Sequence, residues 1–247
     1  MAVSRSSRSS GSSRKAGEEH RLSMAMENYL LSILRLEEQK VRVTPAQLSE
    51  HFKSLPMAEG LGTSLPSVSA MIRRMSREKL VSTTSNKEVI LTPTGRKSAE
   101  SVVRRHRLAE RLAVDVLQVD LRHAHEEAHR LEHAISPYLE SRVVDILNGP
   151  TTCPFGHPIP GSGYSPNRGV INLSDARINV NYLVDRVPED DSDLLAYFVD
   201  NNFLPDSPLV VLDSSRARGV ITLRVSNAEL VFSMDISKLI WVRPNKV

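Results

Sequence analysis

The segment HEEAHRLEH, residues 125–133, gathers many metal-ligand side chains into one short stretch of this 247-residue chain. Its first five residues match H-E-x-x-H, in which two histidines on one helix face bind zinc and the glutamate acts as the general base of a metalloprotease. Glu132 and His133 follow and add a carboxylate and a third imidazole. The segment therefore predicts either a zinc-dependent hydrolase or a metal site with a different purpose.

Helical geometry predicts how this segment would share metal ions. No proline or glycine interrupts residues 122–136, so the stretch is predicted to be one helix. At roughly 100° per residue, four ligand side chains fall within an arc of about 100°. They are His125, His129, Glu132 and His133. His125 and Glu132 would lie roughly 10 Å apart along the axis, whereas bonds to a divalent ion are about 2.0–2.3 Å long. We therefore expect two ions, one near His125 and one near the other three; a charged, solvated helix face with chance histidines is the alternative.

The helix predicted before this segment supplies another histidine and carboxylate pair. His106 and Glu110 are four residues apart, so they lie on one face, and an ion near His125 would need such partners. A zinc protease would instead need His125 and His129 on one ion, Glu126 as the base, and an open coordination position. Because the ligands divide between two ions, the sequence indicates a binding protein and not an enzyme.

Composition limits the class of protein and its compartment. Hydrophobic residues make up 40% of the chain, and no apolar run approaches the roughly 18 residues of a membrane span, so none is expected. Cys153 is the single cysteine, which excludes an internal disulfide framework and fits a reducing cytoplasm. Residues 1–21 are rich in serine and arginine and carry almost nothing apolar, so we expect a disordered basic tail there.

Charge is unevenly distributed, although the net charge is only +3. Arginine and lysine are concentrated between residues 73 and 111, whereas acidic residues crowd the segment 185–193. A basic first half with an acidic patch elsewhere favours a polyanion as the partner of the first half.

Residues 22–96 show the pattern of a winged helix-turn-helix domain. Three helices are predicted: one over SMAMENYLLSILRLEEQ, one that begins at the start signal Thr44-Pro45, and one over SLPSVSAMIRRMSREKL. Two short strands joined by a turn at residues 85–87 are predicted to follow the third helix. In this architecture short polar side chains near the start of the third helix enter the major groove, and arginines hold phosphates. The predicted DNA-contacting residues are Ser64, Ser67, Ser69, Arg73, Arg74 and Arg77. A small helical bundle with basic solvated faces is the alternative.

The remaining third of the chain is predicted to be a linker and a small β-barrel. Residues 150–168 are rich in proline and glycine, which predicts a linker. Cys153 and His157 within it have a loosely metal-like spacing, but the stretch lacks further ligands. Alternating apolar residues in SPLVVLDSS, GVITLRV and AELVFSMD predict strands, and SDLLAYFVDN predicts a helix. The β-barrel is expected over residues 169–247.

Five motifs together resemble the diphtheria toxin repressor family of metal-dependent transcriptional regulators. They are ILRLEE, LTPTGR, RRHRLAERL, HEEAHRLEH and PFGHPIPG. The resemblance covers nearly the whole chain after the tail. It implies an α+β protein with a winged helix-turn-helix domain (22–96), a helical dimerisation and metal-binding domain (97–149) and a C-terminal SH3-like, FeoA-like domain (169–247). It also implies a homodimer, two metal sites per subunit and binding to double-stranded DNA, for which a palindromic operator is expected.

The same resemblance sorts the ligands into two sets. The ancillary set is His106, Glu110 and His125, and the primary set is His129, Glu132 and His133. Asn28 on the first helix stands where the family has a further primary ligand. Glu189 is the nearest match to the ligands that the SH3-like domain of some members adds to the ancillary ion, with Asp185 and Asp191 as alternatives.

Two departures from the family pattern bear on the metal. His129 replaces a cysteine or glutamate, and Asn28 replaces a methionine or aspartate, so the helix positions carry no sulfur. Nitrogen and oxygen donors are compatible with Mn²⁺ and Fe²⁺, whereas soft ligands would favour Cu(I) or zinc. We expect a regulator that represses metal-uptake genes in response to Mn²⁺ or Fe²⁺, and favour Mn²⁺. A metal-independent winged-helix protein and, more remotely, a zinc hydrolase using HEEAH are the alternatives.

Overall fold

The computed structural model describes residues 22–55 and 61–245, which fold into three parts that follow one another along the chain. The predicted tail at residues 1–21 lies outside the described residues. Among the helices that are described, none is long and apolar enough to cross a membrane.

The first part is a winged helix-turn-helix domain, as predicted. Its elements are α1 (Met24–Glu38), α2 (Pro45–Ser54), α3 (Leu65–Arg77), β1 (Val81–Thr83) and β2 (Val89–Leu91). The hydroxyl of Thr44 caps α2 by accepting a hydrogen bond from the Gln47 amide (3.1 Å), and Pro45 occupies the first turn. The two strands pair antiparallel and form the wing.

The apolar faces of these three helices share one core. The rings of Tyr29 and Phe52 lie 4.6 Å apart between α1 and α2. Val68, Ile72 and Met75 of α3 are buried against them, at the spacing that places residues on one helix face. Helix α3 is therefore fixed through one face, and its opposite face is left to solvent.

The second part is helical and carries most of the residues that the sequence predicted as metal ligands. Its elements are α4 (Pro93–Arg111), which continues into a π-helical turn (Leu112–Val116), α5 (Leu121–Leu131) and α6 (Pro137–Ile146). Ala109 of α4 and Ala124 and Ala128 of α5 are fully buried. Small side chains at a helix contact let two helices approach closely, so α4 and α5 can bring their histidines together.

Helix α5 ends at Leu131, and the predicted helix over residues 122–136 is too long. Ser136 precedes Pro137, and the residue before a proline disfavours the helical conformation. Ser136 accordingly has extended dihedral angles (φ −75°, ψ 162°) and caps α6 through the Leu139 amide (3.2 Å). The chain must leave the helix before that point, so His133 lies on a turn and not on the helix face.

The third part is a C-terminal domain built on a six-stranded antiparallel sheet. Its elements are β3 (Ile171–Asn172), a 3₁₀ turn (Leu173–Asp175), β4 (Asn181–Arg186), α7 (Ser192–Asp200), β5 (Pro208–Ser215), β6 (Val220–Val225), β7 (Ala228–Ser233), α8 (Met234–Ser237) and β8 (Trp241–Pro244). The strand order is β3-β8-β4-β5-β6-β7, with register shifts in the β4–β8 and β5–β6 pairs that bend the sheet. The predicted strands β5, β6 and β7 and the helix α7 are confirmed.

Residues 152–159 pack as a compact loop, unlike the open connector expected for 150–168. Cys153 and Phe155 are fully buried in the core of the C-terminal domain. The Cys153 amide donates to the His157 carbonyl (2.9 Å), and Gly156 turns the chain with φ +89°. A Cβ at Gly156 would lie 2.1 Å from the Asp185 carbonyl oxygen, so only glycine allows this approach. The prolines that suggested a linker instead shape a loop that is part of the folded structure.

Gly95→Ala tests the junction between the wing and α4. Alanine normally stabilises a helix relative to glycine by about 1 kcal/mol, but a Cβ here would lie 1.8 Å from the Leu80 carbonyl oxygen. We expect a net loss of about 1–3 kcal/mol in the free energy of unfolding, typical of overpacking. Urea titration measures it, with exposed Lys97→Ala on the same helix as the control; a stabilised Gly95→Ala protein would contradict the packing.

Candidate metal centre

The ancillary set forms one buried cluster between α4 and α5. His106 Nε2 lies 3.0 Å from Glu110 Oε1 and 3.1 Å from His125 Nδ1, and His125 Nδ1 lies 3.0 Å from the same Glu110 oxygen. Glu189, from the loop that precedes α7, joins them: one ligand atom from each of the four residues lies within 4.8 Å of the others. All four residues are buried. The cluster therefore lies where the helical part meets the C-terminal domain.

Of the three acidic residues considered for the C-terminal contribution, only Glu189 belongs to this cluster. Asp185 instead accepts a hydrogen bond from the Asn167 amide (3.0 Å). Asp191 caps α7 by accepting from two backbone amides. The local roles of these two carboxylates explain why sequence alone could not choose among the three.

The primary set lies at the end of α5 and reaches α1. Glu132 Oε1 is 3.5 Å from His129 Nδ1 and 3.3 Å from His133 Nε2. His133 Nε2 lies 2.9 Å from Asn28 Oδ1, and His133 Nδ1 lies 2.6 Å from Glu27 Oε2. Glu27 was not predicted, although it directly precedes Asn28 on the same helix. The turn after α5 thus connects the helical part to the DNA-binding domain.

The two sets are closer together than the helix-face geometry predicted. His106 Nδ1 contacts Glu132 Oε2 at 2.6 Å, so one histidine joins a carboxylate of each set. Ligand atoms of His106, His125 and His129 also lie within 4.8 Å of one another. His106 comes from the neighbouring helix α4 and reaches both sets, which the spacing along α5 alone could not predict.

The electrostatics of the cluster follow from its burial. Burial alone would lower the pKa of His106, but the carboxylates of Glu110 and Glu132 outweigh it and raise that pKa to about 9. Burial alone would raise the pKa of Glu132, but His106 and His129 hold it well below its ordinary value. Burial, with the neighbouring His106 charge, lowers the pKa of His129 to about 4. The buried carboxylates therefore stay ionised and require positive charge nearby.

Two buried oxygens indicate that the cluster suits a cation. Glu110 Oε2 and Glu132 Oε1 have no hydrogen-bond partner in the part of the chain that the structure describes. Buried polar atoms are rarely left in this state unless an ion or water takes the place of a partner. The donors are imidazole nitrogens and carboxylate or amide oxygens, which suit a divalent ion of intermediate hardness. The residues present therefore fit a divalent metal ion.

The loop at 152–159 supports the cluster from outside. His157 Nε2 lies 2.6 Å from Glu189 Oε2 and 2.8 Å from the Val187 carbonyl oxygen. Burial, together with the carboxylates of Glu110 and Glu189, raises the pKa of the Cys153 thiol well above its ordinary value. The thiol is therefore kept protonated, which does not favour it as a metal ligand. The sequence pointed to Cys153 and His157 only through their spacing, which could not reveal that His157 contacts the distant Glu189.

The residue that a zinc protease would use as its base lies outside the cluster. Glu126 Oε1 accepts a hydrogen bond from Arg130 Nη2 at 2.5 Å, and both side chains are more than one-third exposed. His125 and His129 come together with His106. Glu126 is instead paired at the surface with Arg130.

The predicted DNA-contacting residues lie along α3 with different exposures. Arg73, Arg74 and Arg77 are exposed, and Arg74 pairs with Glu78 at 3.3 Å. Ser64 and Ser67 are exposed as well, but Ser64 is the N-cap of α3 and its hydroxyl lies 2.9 Å from that of Ser67. Ser69 is partly buried. The arginines therefore present the most accessible part of this surface.

Comparison with known proteins identifies the family. The family described as "Iron dependent repressor, N-terminal DNA binding domain" matches residues 21–89, "Iron dependent repressor, metal binding and dimerisation domain" matches 92–161, and "FeoA domain" matches 171–244. The chain is 36% identical over 211 residues to the iron-dependent repressor IdeR of Mycobacterium leprae, covering 80% of this chain and 87% of that protein. It is 42% identical over 135 residues to the diphtheria toxin repressor of Corynebacterium diphtheriae, covering 55% of this chain and 56% of that protein.

A solved structure supports the same assignment. A manganese-dependent transcriptional repressor in complex with manganese superposes with a TM-score of 0.77 at 30% identity, over 89% of this chain and 100% of that one. Fold, domain order and sequence agree along the chain. It belongs to the diphtheria toxin repressor family of metal-dependent transcriptional repressors, which confirms the resemblance seen in its motifs.

Glu38→Gln tests the contact that holds α1 on α4 beside the cluster. Arg107 is 1% exposed and pairs with both carboxylate oxygens of Glu38. Because Glu38 is 28% exposed and glutamine still accepts a hydrogen bond, we expect a loss of about 2–3 kcal/mol, below the roughly 3–5 kcal/mol for a fully buried pair. The control is Glu37→Gln, whose partner Arg96 is 44% exposed and for which about 0–1 kcal/mol is expected. Equal unfolding free energies for the two variants would show that Arg107 does not depend on Glu38.

Proposed function

We propose that this chain is a transcriptional repressor that binds double-stranded DNA as a homodimer and is activated by Mn²⁺ or Fe²⁺. One observation carries the proposal. His133, on the turn after α5, contacts Glu27 and Asn28 of α1. The primary set therefore includes side chains of both the DNA-binding domain and the helical domain. A cation bound by the primary set would therefore act on the contact between the DNA-binding domain and the helical domain.

Two ions per subunit are proposed, held by neighbouring sets of donors. The ancillary ion would be held by His106, Glu110, His125 and Glu189, and the primary ion by Asn28, His129, Glu132 and His133. A bound divalent ion would supply positive charge to the carboxylates buried here. Nitrogen and oxygen donors are compatible with both Mn²⁺ and Fe²⁺. We favour Mn²⁺ because His129 stands where iron-responsive relatives are expected to carry cysteine.

The DNA-binding surface is proposed to be the solvent face of α3. Its exposed arginines are suited to phosphate contacts, and exposed small residues near its start are suited to base edges. Because Ser64 is engaged as the N-cap and its hydroxyl contacts that of Ser67, Arg73 is the best placed of these residues to contact bases. One such helix reads only a half-site, so a dimer is expected to recognise a palindromic operator.

The homodimer is proposed to form through the helical domain. Tyr138 of α6 is 77% exposed and Ile146 is 60% exposed, and Leu117 after α4 is 58% exposed. Large apolar side chains at this exposure on one domain are suited to a surface that another protein covers. The family description of residues 92–161 as a metal binding and dimerisation domain supports this location.

His133→Ala tests the metal switch. It removes the imidazole that connects the primary set to α1, so metal-dependent binding to operator DNA should be lost while the fold and the dimer remain. Fluorescence anisotropy of labelled operator with Mn²⁺, Fe²⁺, Zn²⁺ or chelator measures this. His123→Ala, at an exposed histidine of α5, is the control and should respond to metal as the wild type does. DNA binding by the wild type that is equal with metal and with chelator would instead favour a metal-independent winged-helix protein.

Arg77→Ala tests whether the arginines of α3 contact the phosphates of DNA. Loss of one phosphate contact should weaken binding to all DNA sequences alike and reduce the slope of log affinity against log salt by about 1. Arg224→Ala, at an exposed arginine of the C-terminal domain, is the matched control and should leave the slope unchanged. If the triple change of Arg73, Arg74 and Arg77 to alanine also left binding unchanged, α3 would not be the reading helix.

A further inference from the structure

Arg35, on α1, is the one arginine that reaches the ancillary set among the contacts of the described residues. Its guanidinium is 6% exposed overall. Nη2 lies 2.7 Å from Glu189 Oε1 and 2.7 Å from Asp190 Oδ1, and Nη1 lies 3.4 Å from His125 Nε2. A permanent positive charge from the DNA-binding domain is therefore inserted between the C-terminal domain and the ancillary cluster.

Arg35 and a metal ion in the ancillary set would both draw on Glu189 and His125. Glu189 is a member of that set, yet one of its oxygens is already bound to Arg35. His125, a second member, is 3.5 Å from Asp190 through Nε2. Unlike a protonated imidazole, a guanidinium cannot lose its charge in a protein, so it can be displaced by an ion but not neutralised.

We propose that Arg35 is a resident cation of the ancillary cluster, which holds Glu189 and Asp190 against α1 when no metal is bound and competes with the metal for Glu189. The inference rests on the proposed metal site. Arg35 is thus a positioning residue, and it connects metal binding to the docking of the C-terminal domain on α1.

Glu189 has a second contact besides Arg35, on the side of the C-terminal domain. Its second oxygen lies 2.6 Å from His157 Nε2, and the loop that carries His157 is fixed by its burial in the C-terminal core. Removing the arginine therefore takes a competing charge from the site while leaving the carboxylate in place. Removing the arginine should therefore raise the affinity for the metal, because two positive charges beside one carboxylate repel each other.

The fluorescence emission of Trp241 can report whether the C-terminal domain stays docked on α1. It is the only tryptophan of the chain and lies on β8, with Lys40 Nζ 4.9 Å and Arg186 Cζ 4.8 Å from its ring centre. Lys40 follows the cap residue of α1, Gln39, and lies a few residues after Arg35. Loss of the Arg35 contacts should let α1 move away from β8, which exposes the half-buried ring to water.

The test is Arg35→Met in the full chain, with two readouts that do not involve DNA. In the metal-free protein, the emission of Trp241 should shift to the red relative to the wild type. In calorimetry, the affinity for Mn²⁺ should rise about tenfold, or about 1.4 kcal/mol. Arg35→Lys retains the charge and should keep the affinity near that of the wild type. Arg122→Met is the matched control. Arg122 of α5 pairs with Asp200 of α7 at the surface and so also joins the C-terminal domain to another part of the chain, but its loss should change neither readout.

Two results would overturn the inference. Unchanged metal-free emission would show that Arg35 does not hold the domains together, and an unchanged or weaker Mn²⁺ affinity would show that it does not compete. If Arg35→Met fails to fold, Arg35→Gln is neutral but still able to donate to Glu189, and the same affinity increase is expected. A chain that binds Mn²⁺ but shows no metal-dependent DNA binding would contradict the proposed function and leave this inference supported by its own readouts.

Discussion

The structure depends on keeping several carboxylates ionised where little water reaches them. Glu110, Glu132 and Glu189 are each at most 2% exposed. Moving one ionised carboxylate out of water costs several kcal/mol unless positive charge and hydrogen bonds compensate. In this chain the compensation comes from different parts: a histidine of α4, an arginine of α1 and a histidine of the loop at 152–159. The three parts are therefore joined at one electrostatic centre.

Helix α1 takes part in this centre as well as in the core of the DNA-binding domain. Its apolar face packs with α2 and α3, while its polar positions meet the rest of the chain at separate points. Glu27 faces His133, Arg35 faces Glu189, and Glu38 holds the buried Arg107. Arg105 of α4 adds a connection, because it donates to Glu27 and to the Glu132 carbonyl (2.8 and 2.9 Å). A shift of α1 relative to α4 would disturb all of these contacts at once.

The sequence predicted the elements that repeat a simple period and missed those that depend on distant partners. The helices of the winged domain follow from their caps and apolar spacing, and β5, β6 and β7 follow from alternation. Strand β4 has apolar and charged residues on both faces, so alternation could not assign it. His106, Glu110 and His125 were predicted together from helical spacing. Arg35 and Glu27 had no such signal, since their partners lie far along the chain and only the fold brings them near.

A regulator built in this way needs a metal to favour one arrangement of domains over another, and not merely to bind tightly. A ligand with equal affinity for both arrangements shifts nothing. A difference of about 100-fold per site supplies about 2.7 kcal/mol, which is comparable to one or two of the ion pairs that already join α1 to its neighbours. An ion at the proposed primary set would provide such a difference, because His133 and Asn28 come from two domains and meet only when these are correctly placed. An ion at the proposed ancillary set would draw on the C-terminal domain through Glu189 in the same way.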